Sequence, residues 1–107
     1  MEIDQYEIYW ANLDPVIGRE MKKTRPCVIL SPNEMNTNLG TVIIAPLTST
    51  IRNYPTRIKV MLLNKGGMIA LDQIKTIDKV RLKNKIGKLN TITISLVKQV
   101  IEDMLVK

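Results

Sequence analysis

The chain lacks histidine and phenylalanine, and its 107 residues include a single cysteine. Without histidine there is no Ser-His-Asp triad, no Cys-His pair and no histidine metal centre. One cysteine cannot close an internal disulfide, which fits a reducing compartment. Aromatic residues make up only 4% of the chain, too few for a sheet that stacks nucleobases on rows of aromatics. No apolar run nears the ~18 residues that a membrane span needs, and residues 1–20 lack a basic segment followed by an apolar one. No Walker loop or GxGxxG fingerprint occurs, and the carboxylates are too scattered to suggest a two-metal site. These absences lead us to expect a cytoplasmic protein with no metal, no cofactor and no membrane association.

What is present is a chain of the right length for one domain, 1–107, with enough apolar residues (45%) to build a core unaided. The net charge is +6 and it is unevenly spread. Residues 1–20 hold Glu2, Asp4, Glu7, Asp14 and Glu20 against Arg19 alone, whereas residues 21–88 hold thirteen Lys or Arg against Glu34, Asp72 and Asp78. A basic middle attracts phosphate, though a charge excess also serves simply to keep a surface wet.

Short β signals dominate. Residues 6–11 (YEIYWA) alternate Tyr6, Ile8 and Trp10 against Glu7, and 24–30 and 40–47 form two further apolar strands, with a loop at Asp14-Pro15 and Gly18. A single helical turn fits 34–39. Segments 56–62 and 68–71 flank Asn64-Lys65-Gly66-Gly67, a hairpin signal. A strand over the first half of 73–82 turns near Asp78, and KIGKL adds a short strand. From about Thr93, Ile94, Val97, Ile101, Met104 and Leu105 share a helical face, with Thr93 or Ser95 available as its cap. The expected fold is mainly β, a small bent sheet or barrel with a C-terminal α-helix.

Cys27 sits among apolar neighbours and reads as core. One reaction suits the remaining side chains. RNA carries its own nucleophile, the ribose 2′-hydroxyl, so a protein need only align it, stabilise charge on the phosphoryl oxygens and assist proton transfer. Arginine fits the second task because its planar fork meets phosphate bidentately and stays charged. Arg25 stands at the mouth of the second strand beside Lys22 and Lys23, and a hydroxyl from Thr48 or Ser49 follows the next strand. Taken singly, each has an ordinary use: a surface charge for Arg25, turn residues for Thr48 and Ser49, core packing for Trp10 and the tyrosines.

Four phrases in order carry more weight than any one. NLDPVIGRE, the RP of TRPCVIL, APLTS and DQIKTID, together with YPTRI and KIGKL, resemble the MazF/PemK/Kid family of toxin endoribonucleases over about residues 6–105. The resemblance implies an SH3-like barrel of the CcdB/PemK type that works as a homodimer. It implies metal-independent cleavage of single-stranded RNA to a 2′,3′-cyclic phosphate and a 5′-hydroxyl. It places the catalytic arginine on Arg25 and the catalytic threonine on Thr48. Glu20 matches an acidic residue of the first loop bordering the substrate groove, and Asp72 and Gln73 match a base-reading pair. Lys22, Lys23 and Ser49 are expected as further substrate contacts from their charge and place beside Arg25 and Thr48, with Met21 and Lys22 standing where many relatives have small or glutamine residues. The implied partner is an antitoxin whose disordered tail occupies the same groove. A fold relative, CcdB, instead inhibits DNA gyrase without catalysis, and that is the alternative function to be weighed.

Overall fold

A computed structural model describes residues 2–13 and 24–107. Within them, strands β1 (Glu7–Asn12), β2 (Thr24–Ile29), β3 (Thr41–Thr48), β4 (Arg57–Leu62), β5 (Lys65–Ala70), β6 (Lys75–Asp78) and β7 (Leu82–Lys88) form one antiparallel sheet in the order β4-β5-β3-β2-β1-β7, with β6 added to β3. Helix α1 (Asn33–Asn38) is the expected short turn, and helix α2 (Thr91–Ile101) runs on into a wider turn over Glu102–Val106. The sheet curls into a half-barrel and α2 packs against it through Val97, a mainly β fold with a C-terminal helix as expected.

β3 is the hinge of this arrangement. Along one edge Ile44, Ala45 and Pro46 face Ile29, Val28 and Cys27 of β2. Along the other, Thr41–Ile44 pair with β6 and then Leu47 and Thr48 pair with Ile69 and Met68 of β5. Both faces of the sheet are covered. Tyr9, Ala11, Cys27, Ile29, Val42 and Ile44 belong to one core. Their strand neighbours Ile8, Val28, Ala45 and Leu47 pack into another with Ile58, Ile69, Leu71 and Val97. Strand alternation therefore sorts apolar residues between two cores rather than between core and water.

That double coverage corrects the reading of the first strand. Glu7, expected on a wet face, is 4% exposed, and Tyr9 opposite the Tyr6-Ile8-Trp10 row is 2% exposed. The buried carboxylate is satisfied: Asp4 N–H donates to Glu7 Oε1 at 2.8 Å, the Tyr9 hydroxyl donates to it at 3.2 Å, and Lys85 of β7 pairs with Oε2. Trp10, read as core, is only half-buried. The apolar strand expected at 40–47 lies mid-sheet, with Val42, Ile44, Ala45 and Leu47 buried.

The hairpin exists, but its turn lies earlier than the glycines suggest. Leu62 pairs with Lys65, and the intervening Leu63 (φ 51°) and Asn64 (φ 63°) make a left-handed two-residue turn of the kind that matches strand twist. Asparagine adopts that conformation readily, which leaves Gly66 and Gly67 to run within β5. At α2 the cap is Asn90, whose Oδ1 accepts from Thr93 N–H at 2.8 Å, so Thr93 is the capped donor rather than the cap. Val97 is buried, Ile94, Val100, Ile101 and Met104 pack beside it, and Leu105 points away at 61% exposure. The turn at Asp78 is as expected, its Oδ1 accepting from Val80 N–H at 2.9 Å.

Candidate active site

A groove of about 540 Å³ opens beside the point where β2 and β3 part, walled by Trp10, Arg25, Pro26, Thr48, Ser49 and Lys65 among others. The sequence explains the opening. Pro26 and Pro46 each remove a backbone donor from neighbouring strands, so the ladder between them is weak where it ends. The pairing of Ile29 with Ile44, Val28 with Ala45 and Cys27 with Pro46, carried two places further, sets Arg25 opposite Thr48. There β3 is engaged on its other edge by β5 instead.

Arg25 is half-buried, and its Nε is fully enclosed yet has no hydrogen-bond partner among the described residues. A buried donor left unmade costs on the order of 1–3 kcal/mol, and such groups are rare enough in folded proteins to call for a reason, a catalytic role or a bound ion among them. Thr48 is 6% exposed, and its Oγ1 accepts from Thr50 N–H at 3.1 Å. A hydroxyl has one proton and two acceptor positions, so this bond leaves the Thr48 proton available for donation. Ser49 is exposed on the same wall.

Asp72 and Gln73 are not brought into this groove. Both lie in a 3₁₀ turn, Leu71–Gln73, after β5. Arg57 holds Asp72 bidentately, through Nε to Oδ1 at 2.6 Å and Nη2 to Oδ2 at 3.0 Å, and the Thr56 hydroxyl adds a bond at 3.0 Å. Those bonds, Arg57 foremost, hold the Asp72 carboxyl below its ordinary value. Arg57 also lies 5.3 Å from the centre of the Tyr54 ring. Glu20, Lys22 and Lys23, together with the loop at 14–18, lie outside the described residues.

Cys27, next to the groove in sequence, is buried, and burial pushes its thiol up to about 12, which suits packing rather than nucleophilic attack. Among the described residues no three of His, Cys, Asp or Glu gather as metal ligands, and no helix is long and apolar enough to cross a membrane. Sequence reasoning missed Lys65 and the place of Trp10 in the groove wall. It also missed Arg57, whose signal was an arginine at the start of one hairpin strand and an aspartate just beyond the end of the other.

Residues 4–105 match the family described as the PemK-like, MazF-like toxin of type II toxin-antitoxin systems. Among solved structures, the Mycobacterium tuberculosis toxin MazF-mt6 is similar at 28% identity and a TM-score of 0.78, covering 91% of this chain and 93% of that one. MazF from Deinococcus radiodurans superposes with a TM-score of 0.87 at 23% identity, over 98% of this chain and 97% of its own. An endoribonuclease from mycobacterial species, solved with its cognate antitoxin, gives 0.82 at 22% identity, over 96% and 94%. The last two likenesses speak for the fold.

Proposed function

Because the chain belongs to the PemK-like, MazF-like toxin family of type II toxin-antitoxin systems, we propose that it is a metal-independent endoribonuclease that cuts single-stranded messenger RNA at short sequence motifs. One observation carries the proposal: Arg25, whose enclosed Nε has no hydrogen-bond partner among the described residues, lines a groove that Thr48 also lines. In the reaction the 2′-oxygen attacks the adjacent phosphorus and the bond from phosphorus to the 5′-oxygen breaks. The 2′-hydroxyl loses a proton and the leaving oxygen gains one, giving a 2′,3′-cyclic phosphate and a 5′-hydroxyl with no co-reactant.

Each residue has a task that its chemistry suits. Arg25 meets the phosphoryl oxygens with a fork that stays cationic, so its work is to stabilise charge that grows in the transition state. Thr48 donates its free hydroxyl proton to the same oxygens. Lys65 and Ser49 border the path of the strand, the family resemblance adds Glu20, and the charges of Lys22 and Lys23 supply further phosphate contacts. Asp72 and Gln73 read bases outside the groove that holds the scissile phosphate. The acting species is a homodimer, held inactive by an antitoxin whose acidic, disordered tail competes for the basic groove; a relative solved with its cognate antitoxin supports that partner.

The test is cleavage of a long single-stranded RNA by the purified protein in EDTA, with both new ends identified. Cyclic phosphate and 5′-hydroxyl ends are expected. Intact RNA, with capture of DNA gyrase in its place, overturns the proposal.

A further inference from the structure

Gly67 lies in the interior of β5, where glycine is a poor choice: it packs nothing and stiffens the chain less than alanine does. No turn requires it, since the hairpin turns at Leu63 and Asn64. The reason for it is contact. A Cβ on Gly67 would lie 2.9 Å from the carbonyl oxygen of Thr48 and 3.7 Å from its carbonyl carbon. Both are backbone atoms, which cannot swing aside as the tip of a side chain can. Gly66, next along the strand, would meet only Met61 Sδ at an ordinary 3.8 Å, and Gly40 would meet nothing within 4 Å.

The contact falls at a sensitive place. Thr48 is the last residue of β3 and pairs with Met68 of β5. Beyond it the loop is pinned twice: Thr50 N–H donates to Thr48 Oγ1 at 3.1 Å, and Arg52 N–H donates to Met68 Sδ at 3.3 Å. We infer that Gly67 is a positioning residue for Thr48: by omitting a Cβ it lets β5 close onto the Thr48 carbonyl, and that closure fixes where the Thr48 hydroxyl stands in the groove. A side chain at 67 forces the Thr48 peptide away and carries the hydroxyl with it. A shift of this kind matters because misplacement of a reacting or donating group by about 1 Å can cost on the order of 10²-fold in rate.

The inference rests on the ribonuclease reading, and the experiment separates the two. Gly67→Ala, Gly67→Val and the control Gly40→Ala are compared for kcat and KM on a defined RNA, for thermal midpoint, and for hydrogen exchange at the Thr50 amide. Gly67→Ala is expected to lower kcat by about 10- to 100-fold with KM and thermal midpoint little changed, and to speed exchange at Thr50 about tenfold or more, while Gly40→Ala matches the unmodified chain. Gly67→Val, if it folds, lowers kcat further; if it does not, the alanine variant decides. A wild-type kcat in Gly67→Ala, a loss confined to KM, or unchanged Thr50 exchange overturns the inference. RNA left intact by the unmodified protein defeats the function reading instead, and Thr50 exchange still judges the role of Gly67.

Discussion

Arg57 and Asp72 meet through two parallel bonds, 2.6 and 3.0 Å long, across the open end of the β4–β5 hairpin. The guanidinium is the more deeply placed partner, its side chain 8% exposed against 30% for the carboxylate. Arg57 faces Ala70 in the strand register, so the first turn after β5 brings Asp72 back over it. The pair therefore ties the 3₁₀ turn to the base of the hairpin.

Asp72→Ala is expected to destabilise the protein by on the order of 1–2 kcal/mol in denaturant titration, since it leaves a mostly buried cation without its bidentate partner. The folded carboxyl titrates below its ordinary 3.8. The stabilisation is thus fully present above that value and is lost as pH falls through the lowered one. An equal fall in stability with acid in Asp72→Ala and the unmodified chain would contradict this.

Glu7 and Tyr9 give the second pH prediction, at both ends of the scale. Burial opposes the charge on Glu7, but the Lys85 ammonium and the bonds from Asp4 and Tyr9 outweigh it, and the carboxyl lies below its ordinary 4.5. Its contribution is present above that value and lost as pH falls through the lowered one. Tyr9, pushed up from 10.0 to about 12 by burial and by the Glu7 charge, behaves in the opposite sense. Its share is intact below pH 10 and disappears as pH climbs towards 12. Glu7→Ala, which strands the Asp4 amide and leaves the Tyr9 hydroxyl only the Glu2 carbonyl at 3.3 Å, is expected to cost on the order of 1–3 kcal/mol. Thermal midpoints across the pH range check both.

Arg25→Ala is expected to abolish RNA cleavage, and Arg25→Lys to restore little, because a point charge replaces a planar fork. Thr48→Ala is expected to slow the chemical step by roughly 10²-fold or more, the loss typical of one transition-state donor. Single-turnover kinetics with saturating protein measure both. Full activity in Arg25→Lys would mean that charge alone suffices.

Cys27 is expected to resist alkylation in the native protein, as a thiol at about 12 in a closed core offers almost no thiolate at neutral pH. Its labelling by iodoacetamide should follow unfolding in urea. Rapid labelling without denaturant would show the core open at β2.

Some of this was legible before any coordinates. β-branched runs and Asn-Lys-Gly-Gly announce strands and a hairpin because those signals act over a few residues. The placement of Arg25 and Thr48 beside one groove was legible because each stands at the end of an apolar run, where strands finish and grooves begin. What the sequence hid depends on distant partners. Glu7 reads as a wet acid until Lys85 folds against it across the sheet. The turn at Leu63 and Asn64 displaced the one that two glycines advertise, since the register of β4 on β5 selects which residues bend, and the glycine at 67 is taken up by its approach to Thr48. Asn90 outranked Thr93 and Ser95 as a cap because the helix begins sooner than its apolar stripe.

β3 has a consequence for how this molecule can fail. It is the one strand shared by the β2 side and the β5 side of the sheet, and Thr48 is its final residue. A fluctuation that frees Thr48 must loosen the seam on which both halves depend, whereas fraying at the α2 end leaves that seam alone. Heat inactivation should therefore coincide with collapse of the whole sheet.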